Sequence, residues 1–314
     1  MSFPSLEEKV LQETVNLVER YGSPHKAALA TGVNSSTMTH RYHRACAKGI
    51  RPTELKEFVA PYVKEKLGRI HMVIPDLQVR PHVPIDHLRW IANYAIEKRP
   101  DVIIQIGDWA DMNSLSLYDK GKRCYEGRRY VKDVEAANDS LDVFEKTLED
   151  YNRTSETPYN PRKILTRGNH EERIDRATNL DAALDGKLTF QDLDFERRGW
   201  ECHRFLEVVE VDGVQYSHYF ISGSMGRPVS SAAALLKARG GSATMGHVQR
   251  MDVSYHPQTQ QIGLFCGTCY LHDEEYLGPQ GNCAPRQIIM KHEVQDGRYD
   301  LMAVSLNFLR KRYG

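Results

Sequence analysis

An α/β fold shading into α+β, preceded by a small all-α unit, is predicted for this 314-residue chain by three observations. From residue 69 onward, apolar β-branched runs (Ile70 to Ile74, Val102 to Ile106, Lys163 to Thr166) alternate with helical stretches (Asp86 to Lys98, Val131 to Asp150). Two Asp-Gly dipeptides, Asp212-Gly213 and Asp296-Gly297, each lie between apolar runs (208–211 with 214–219; 288–294 with 299–304), which marks hairpins and a second half richer in antiparallel sheet. Ahead of residue 51 the periodicity is helical.

The N-terminal elements follow from punctuation. Leu6, Val10, Leu11, Leu17 and Val18 fall on one helical face, and the pattern stops at Tyr21-Gly22. Ser23-Pro24 supplies an N-cap and a first-turn proline for a short Ala-rich helix that ends near Thr31-Gly32. A third helix begins at Asn34-Ser35-Ser36 and runs to Lys48-Gly49. Three helices with a tight glycine turn suggest a helix-turn-helix over residues 1–50. Residues 20–53 hold six Lys/Arg, three His and no acid, as phosphate neutralisation requires. The stretch Tyr21 to Arg44 resembles helix-turn-helix segments of recombinases and phage packaging proteins. That resemblance implies DNA as partner, with Lys26, Thr37, His40, Arg41, Arg44 and Lys48 as contacts; a helical bundle used for protein contact is the alternative. Residues 51–68 read as a charged linker helix interrupted at Pro61, and the larger domain spans 69–314.

With 40% apolar and 27% charged residues and zero net charge, the chain falls in the soluble globular class. Its apolar runs are far shorter than the ~20 residues of a membrane helix. No membrane span or secretory signal is expected, which points to the cytoplasm. The six cysteines read as reduced thiols, and Cys266-Gly-Thr-Cys269 as a buried structural pair rather than a zinc site.

Chemistry is carried by five polar clusters, each after an apolar run: Asp76-Leu77-Gln78, Gly107-Asp108-Trp109-Ala110-Asp111, Gly168-Asn169-His170-Glu171, Tyr216-Ser217-His218 and Gly246-His247-Val248-Gln249. Strand ends can aim such oxygen and nitrogen donors at one point from distant parts of the chain, so the pattern implies a metal centre. A sixth segment, 118–132, packs six Lys/Arg among three tyrosines; it suits a strand whose phosphates are neutralised while its bases stack, or equally a solvated loop. Lys122, Arg123, Arg128 and Arg129 are its candidate nucleic-acid contacts.

In their order, the five clusters resemble those of the calcineurin-like metallophosphoesterases (DxH, GDxxD, GNH[DE], H, GHxH) over roughly residues 69–304. The resemblance implies a four-layer β-sandwich flanked by helices and two divalent metal ions. Asp108 would bridge them. Asn169, His218 and His247 would complete one site, and Asp76, Gln78 and Gln249 the other. His170 would be the acid beside the leaving group, with Asp111 as its orienting partner and Arg173 as a phosphate clamp or an ion-pair partner of Glu171 or Glu172. Hydrolysis by a metal-activated hydroxide is the implied reaction.

Both histidines the family places in the first site are glutamine here, Gln78 and Gln249, which makes that site all-oxygen and its cation weakly held. Mn²⁺ is the expected metal, with Mg²⁺, Zn²⁺ and iron as alternatives. His82 reads as a loop histidine facing substrate or solvent, or as a compensating ligand; His272 carries the same two readings. The whole chain, including residues 270–282, is similar to phosphoesterases of phages and prophages, which implies a bacterial host's cytoplasm. The expected function is a phosphodiesterase acting on nucleic acid, a DNA nuclease; a phosphatase or cyclic-nucleotide phosphodiesterase and a DNA-binding regulator with a degenerate metal site are the alternatives. Oligomeric state is left open, a dimer included.

Overall fold

Short side chains that outcompete water for backbone amides set the helix starts of the N-terminal unit. The computed structural model describes residues 6–52, 68–274 and 278–314, and the chain divides into two compact units, Met1–Glu65 and Lys66–Gly314. The linker helix expected at 51–68 lies, apart from its ends, outside the described residues. In the first unit α1 (Leu6–Tyr21) is followed by α2 (Pro24–Thr31), where Ser23 Oγ accepts the Lys26 amide at 3.2 Å and Gly32 at φ 70° ends the helix. Asn34 Oδ1 accepts the Ser36 amide at 2.9 Å and opens α3 (Ser35–Ala47). Val18, Ala27, Ala28 and Met38 form one core cluster, and Leu11, Val15 and Ala45 another.

The second unit runs β1 (Arg69–Ile74), α4 (His87–Lys98), β2 (Val102–Gln105), α5 (Tyr130–Thr154), β3 (Arg162–Thr166), α6 (Glu172–Leu180), β4 (Glu201–His203), β5 (Val209–Val211), β6 (Val214–Tyr216), β7 (Ile221–Ser222) and β8 (Arg227–Pro228). It continues with α7 (Ala232–Arg239), β9 (Ala243–Met245), β10 (Met251–Tyr255), β11 (Ile262–Cys266), the single turn α8 (Gly278–Gly281), β12 (Gln287–Gln295), β13 (Arg298–Ser305) and α9 (Leu306–Tyr313). Among the described residues one sheet has the order β13-β12-β1-β2-β3-β4, with β1 to β4 parallel and the β12–β13 hairpin antiparallel at its edge. A second has the order β10-β11-β9-β6-β5, in which β6, β9 and β11 are parallel. Both expected hairpins form, each turning through an Asp at φ 50°.

The apolar runs are continuous because both faces of the large sheet are covered. Val73, Ile104, Ile164 and Ile289 pack with Val211, Val214, Tyr216 and Leu264 of the second sheet. Their neighbours in sequence, Met72, Ile74, Ile103, Leu165, Ile288 and Met290, point the other way, into a core with Leu88 and Ile91 of α4, Leu141 and Phe144 of α5 and Leu309 of α9. Leu235 of α7 packs with Met245 and Phe265 on the far face of the second sheet. Cys266 and Cys269 are buried free thiols, and Cys266 donates to the Met245 carbonyl at 2.8 Å.

One polar network runs from the apolar region between the sheets out to the half-buried Asp212. His71 lies 2.8 Å from both the Tyr216 hydroxyl and Asp212 Oδ2, and the fully buried Lys291 donates to Thr244 Oγ1 at 2.5 Å and to Tyr216 at 3.2 Å. Burial pushes the Lys291 amine far below its ordinary pKa, holds His71 at about 4, and holds the buried His87 of α4 at about 3. The unfolded chain protonates these imidazoles near the ordinary histidine value, so stability is full above that value and is lost as pH falls toward the folded pKa. Between pH 7 and pH 5 each histidine should cost about 2 kcal/mol. Urea midpoints of the wild type and of His87→Leu at the two pH values check this: the variant should lose less stability than the wild type between pH 7 and pH 5, and equal losses contradict it.

Candidate metal centre

Parallel strands put their C-terminal ends on one edge, and that is where the polar clusters lie. Asp76 follows β1, Asp108 follows β2, Asn169 and His170 follow β3, His218 follows β6 and His247 follows β9. Asn169 Oδ1 lies 2.9 Å from His218 Nε2 and 2.7 Å from His247 Nδ1, and Asp108 Oδ2 is 3.3 Å from His218 Nε2. Donor atoms of Asp108, His218 and His247 all fall within 4.8 Å of one another. The Asp76 carboxylate accepts the His247 amide at 3.1 Å.

The donor chemistry fits a cation. His218 Nδ1 donates to the Ile106 carbonyl at 2.9 Å, which uses the one proton of a neutral imidazole and leaves the Nε2 lone pair aimed at two oxygens. Only a second proton or a metal ion satisfies that arrangement, and the carbonyl behind Nδ1 orients the ring as a metal ligand needs. In the metal-free protein the proton takes the place: burial opposes charge on His218, but Asp108 outweighs it and lifts the pKa to about 9. Burial and the neighbouring His218 charge hold His247 down at about 4. Burial raises Asp76 to about 7, while His170 and His218 overcome burial at Asp108 and keep it ionised.

The loops that deliver these groups are strained. Gln78, Asp108, His247 and Gln249 take φ of 44°, 58°, 64° and 55°, left-handed conformations that cost on the order of 1–3 kcal/mol each and persist where surrounding structure over-determines them. Gln78 is buried, and its amide donates to the Asp108 carbonyl at 2.8 Å; Gln249 Oε1 accepts the Tyr270 hydroxyl at 3.2 Å. Both stand on loops at the same edge as the ligands named above. The glycines before Asn169 and His247 are there for space: a Cβ on Gly168 would overlap Asp108 Oδ1, and one on Gly246 would overlap Asp76 Oδ1.

A residue whose role sequence reasoning missed ties the loops together. The buried Glu171 carboxylate accepts the amides of Asp108 at 3.0 Å, Ala110 at 2.9 Å and Gly168 at 2.8 Å. Its signal was the acid closing Gly-Asn-His-Glu, but which amides it holds is a tertiary fact.

His170 is braced from behind. Its amide donates to Asp108 Oδ1 at 3.0 Å, and its Nδ1 lies 2.8 Å from Asp111 Oδ1. Burial disfavours charge on this imidazole, yet Asp108 and Asp111 together hold its pKa above the usual value. Arg173 reaches neither Glu171 nor Glu172: Nη1 donates to the Asp111 carbonyl at 2.8 Å and to Oδ1 at 3.2 Å, while Nη2 lies 3.4 Å from His170 Nε2. Arg80 adds to the brace, donating to Asp111 at 3.2 Å and to both oxygens of Glu274 at 2.9 Å. His272 pairs with Glu274 at 2.8 Å and so belongs to this network, and His82 is exposed at φ 70°.

The candidate nucleic-acid residues are more committed than the charge run implied. Asp119, within the basic segment, binds Lys122 at 3.2 Å and Arg128 at 2.9 Å, and leaves Arg123 and Arg129 exposed without a salt bridge among the described residues. Tyr118 is 81% exposed beneath Lys122. In the first unit Lys26, Thr37 and His40 are exposed and Arg41 is half-buried, while Glu7 of α1 takes up Arg44 at 2.8 Å and Lys48 at 2.9 Å. Such exposed pairs are worth about 0–1 kcal/mol and open readily.

No family model matches the chain, and no curated protein matches it. By structure it is similar to a single mutant of Vps29 from Entamoeba histolytica, at 12% identity and TM-score 0.35 over 75% of this chain and 98% of that one. It is also similar to YfcE, a phosphoesterase from E. coli, at 10% identity and TM-score 0.31 over 75% and 100% of the two chains. A conserved uncharacterized protein from Streptococcus pneumoniae, a predicted phosphoesterase, is similar at 11% identity and TM-score 0.29 over 75% and 97%. Likeness this distant decides no chemistry. Among the described residues, no helix is long and apolar enough to cross a membrane.

Proposed function

We propose that the chain is a metal-dependent phosphodiesterase acting on nucleic acid, a DNA nuclease built as a four-layer metallophosphoesterase-type sandwich behind an N-terminal helix-turn-helix. The observation that carries the reading is the His218 ring, with its proton spent on Ile106 and its Nε2 facing two oxygens, beside a second histidine and a braced His170. Asp108, Asn169, His218 and His247 would hold one cation, Mn²⁺ by preference. Asp76, Gln78, Asp108 and Gln249 would hold a second, more weakly, through oxygen alone. What divalent cations supply when bound is charge against the phosphoryl oxygens and a more acidic attacking water.

The chain's own residues do the rest. Asp111 holds Nδ1 of His170, so the proton for a departing alkoxide is presented at Nε2. Arg173, beside that atom, places positive charge where the leaving oxygen gains negative charge. Exposed Lys26, Thr37 and His40, with Arg41, Arg44 and Lys48, would bring the polymer, and Lys122, Arg123, Arg128 and Arg129 would track its backbone. A phage or prophage origin and action in the host cytoplasm accord with this reading.

Incubation of the purified protein with Mn²⁺ against linear duplex, circular single-stranded DNA, RNA and a chromogenic phosphodiester tests it in one experiment. Cleavage of DNA together with the diester is expected. Turnover of the small diester alone would replace the nuclease reading with a small-molecule phosphodiesterase, and duplex binding without any turnover would indicate a regulator with a degenerate centre.

A further inference from the structure

Four rings adjoin at the rim of the metal centre, and two of them have no part in holding a cation. Tyr219 lies 4.6 Å, centroid to centroid, from His247 with the planes 38° apart, and 5.9 Å from His218. Phe205 stands edge-on to Tyr219 at 5.5 Å and 6.4 Å from His218. Both are half-buried, so each keeps part of its surface open, and Phe205 belongs to none of the apolar core clusters. Tyr219 packs in part against the Phe220, Val229 and Leu235 cluster, and the open part of both rings lies about one ring-width from candidate metal ligands, where a planar group can stack.

A cation stands nearby. Arg176 of α6, one helical turn beyond Arg173, is exposed and makes no hydrogen bond or salt bridge among the described residues. Arg173, Arg176 and the Tyr219–Phe205 pair thus put positive charge, then aromatic surface, beside the reacting centre.

We infer that Tyr219 and Phe205 form a stacking shelf for the nucleobase attached to the scissile phosphate, with Arg176 meeting the next phosphate of the strand. The inference rests on the phosphodiesterase reading above and names its substrate class: a nucleotide ester, recognised by the π-face of its base and therefore without sequence preference at that position. A phosphoserine or phosphothreonine peptide, or an alkyl phosphoester, offers no ring to the shelf.

Two diesters with one leaving group separate base recognition from chemistry: thymidine 5′-(p-nitrophenyl phosphate) and methyl p-nitrophenyl phosphate, each with the full chain and Mn²⁺. The wild type should prefer the nucleoside ester in kcat/KM. Tyr219→Ala should lower that preference about 5- to 150-fold, mainly through KM, and Tyr219→Phe should restore it. An unchanged preference, or an equal loss on both esters, would reduce the rings to props for the histidines and overturn the shelf. A wild type that hydrolyses neither ester would overturn the phosphodiesterase reading instead. The shelf is then judged by equilibrium binding of trithymidylate against an abasic trimer to metal-stripped protein in EDTA. A preference for bases that Tyr219→Ala removes supports it, and equal binding of the two trimers by the wild type overturns it.

Discussion

Replacing Asp108 with Asn should strip the protein of metal and lower Mn²⁺-dependent phosphodiester turnover by on the order of 10³-fold or more. The change is nearly isosteric, so it tests charge rather than packing. Asp108 Oδ1 accepts the His170 amide, a role an amide oxygen can keep, whereas Oδ2 faces His218 and His170 and is the anion that lifts both imidazoles above their ordinary pKa. An amide in its place leaves each candidate cation site one charge short, and in a buried site that charge is weakly screened. Metal per chain by mass spectrometry, turnover of bis(p-nitrophenyl) phosphate and circular dichroism give the three readouts. A folded Asp108→Asn variant that keeps both metal and turnover would move the centre elsewhere.

Gly168→Ala should be nearly as damaging, by a different route. The added methyl would overlap the Asp108 carboxylate and backbone, and both are fixed by hydrogen bonds to neighbouring amides and to Glu171. Separating the two loops breaks the clamp through which Glu171 holds the Asp108 and Gly168 amides, so a loss of about 3 kcal/mol in stability is expected together with loss of metal binding. Gly186→Ala is the control. That glycine has a positive φ, 70°, but open space surrounds it, so its cost is about 1 kcal/mol of backbone strain with metal binding intact. Denaturant midpoints and metal content of both variants separate crowding from strain. If the two behave alike, close packing of the loops is not what requires glycine at 168.

The readable parts of the fold are those governed by local rules. Ser23 and Asn34 cap helices because their oxygens reach backbone amides two or three residues on, and Asp212 and Asp296 turn hairpins because Asp and Gly tolerate positive φ. The strand runs are legible because a sheet covered on both faces needs apolar residues at every position. A charge run does not show which of its cations are paired: Glu7, outside the acid-free run, takes up Arg44 and Lys48, and Asp119, within its own segment, takes up Lys122 and Arg128. Chain proximity points Arg173 toward Glu171 and Glu172, yet it turns to Asp111, 62 residues away.

By itself the order of the clusters determined which polar groups come to one edge: Asp76, Gln78, Asp108, Asn169, His218, His247 and Gln249 each follow an apolar run, and alternating strands and helices bring strand ends together. What only the tertiary structure decided is how those groups are held. The Ile106 carbonyl sets the His218 tautomer, Glu171 gathers three amides, Arg80 and Glu274 stand behind Asp111, and Tyr219 comes to lie against His247. Local propensity depends on neighbours a few residues apart and is therefore written along the chain. Hydrogen-bond direction, burial and ring contact depend on atoms far apart in sequence, and exist only once the strands have paired.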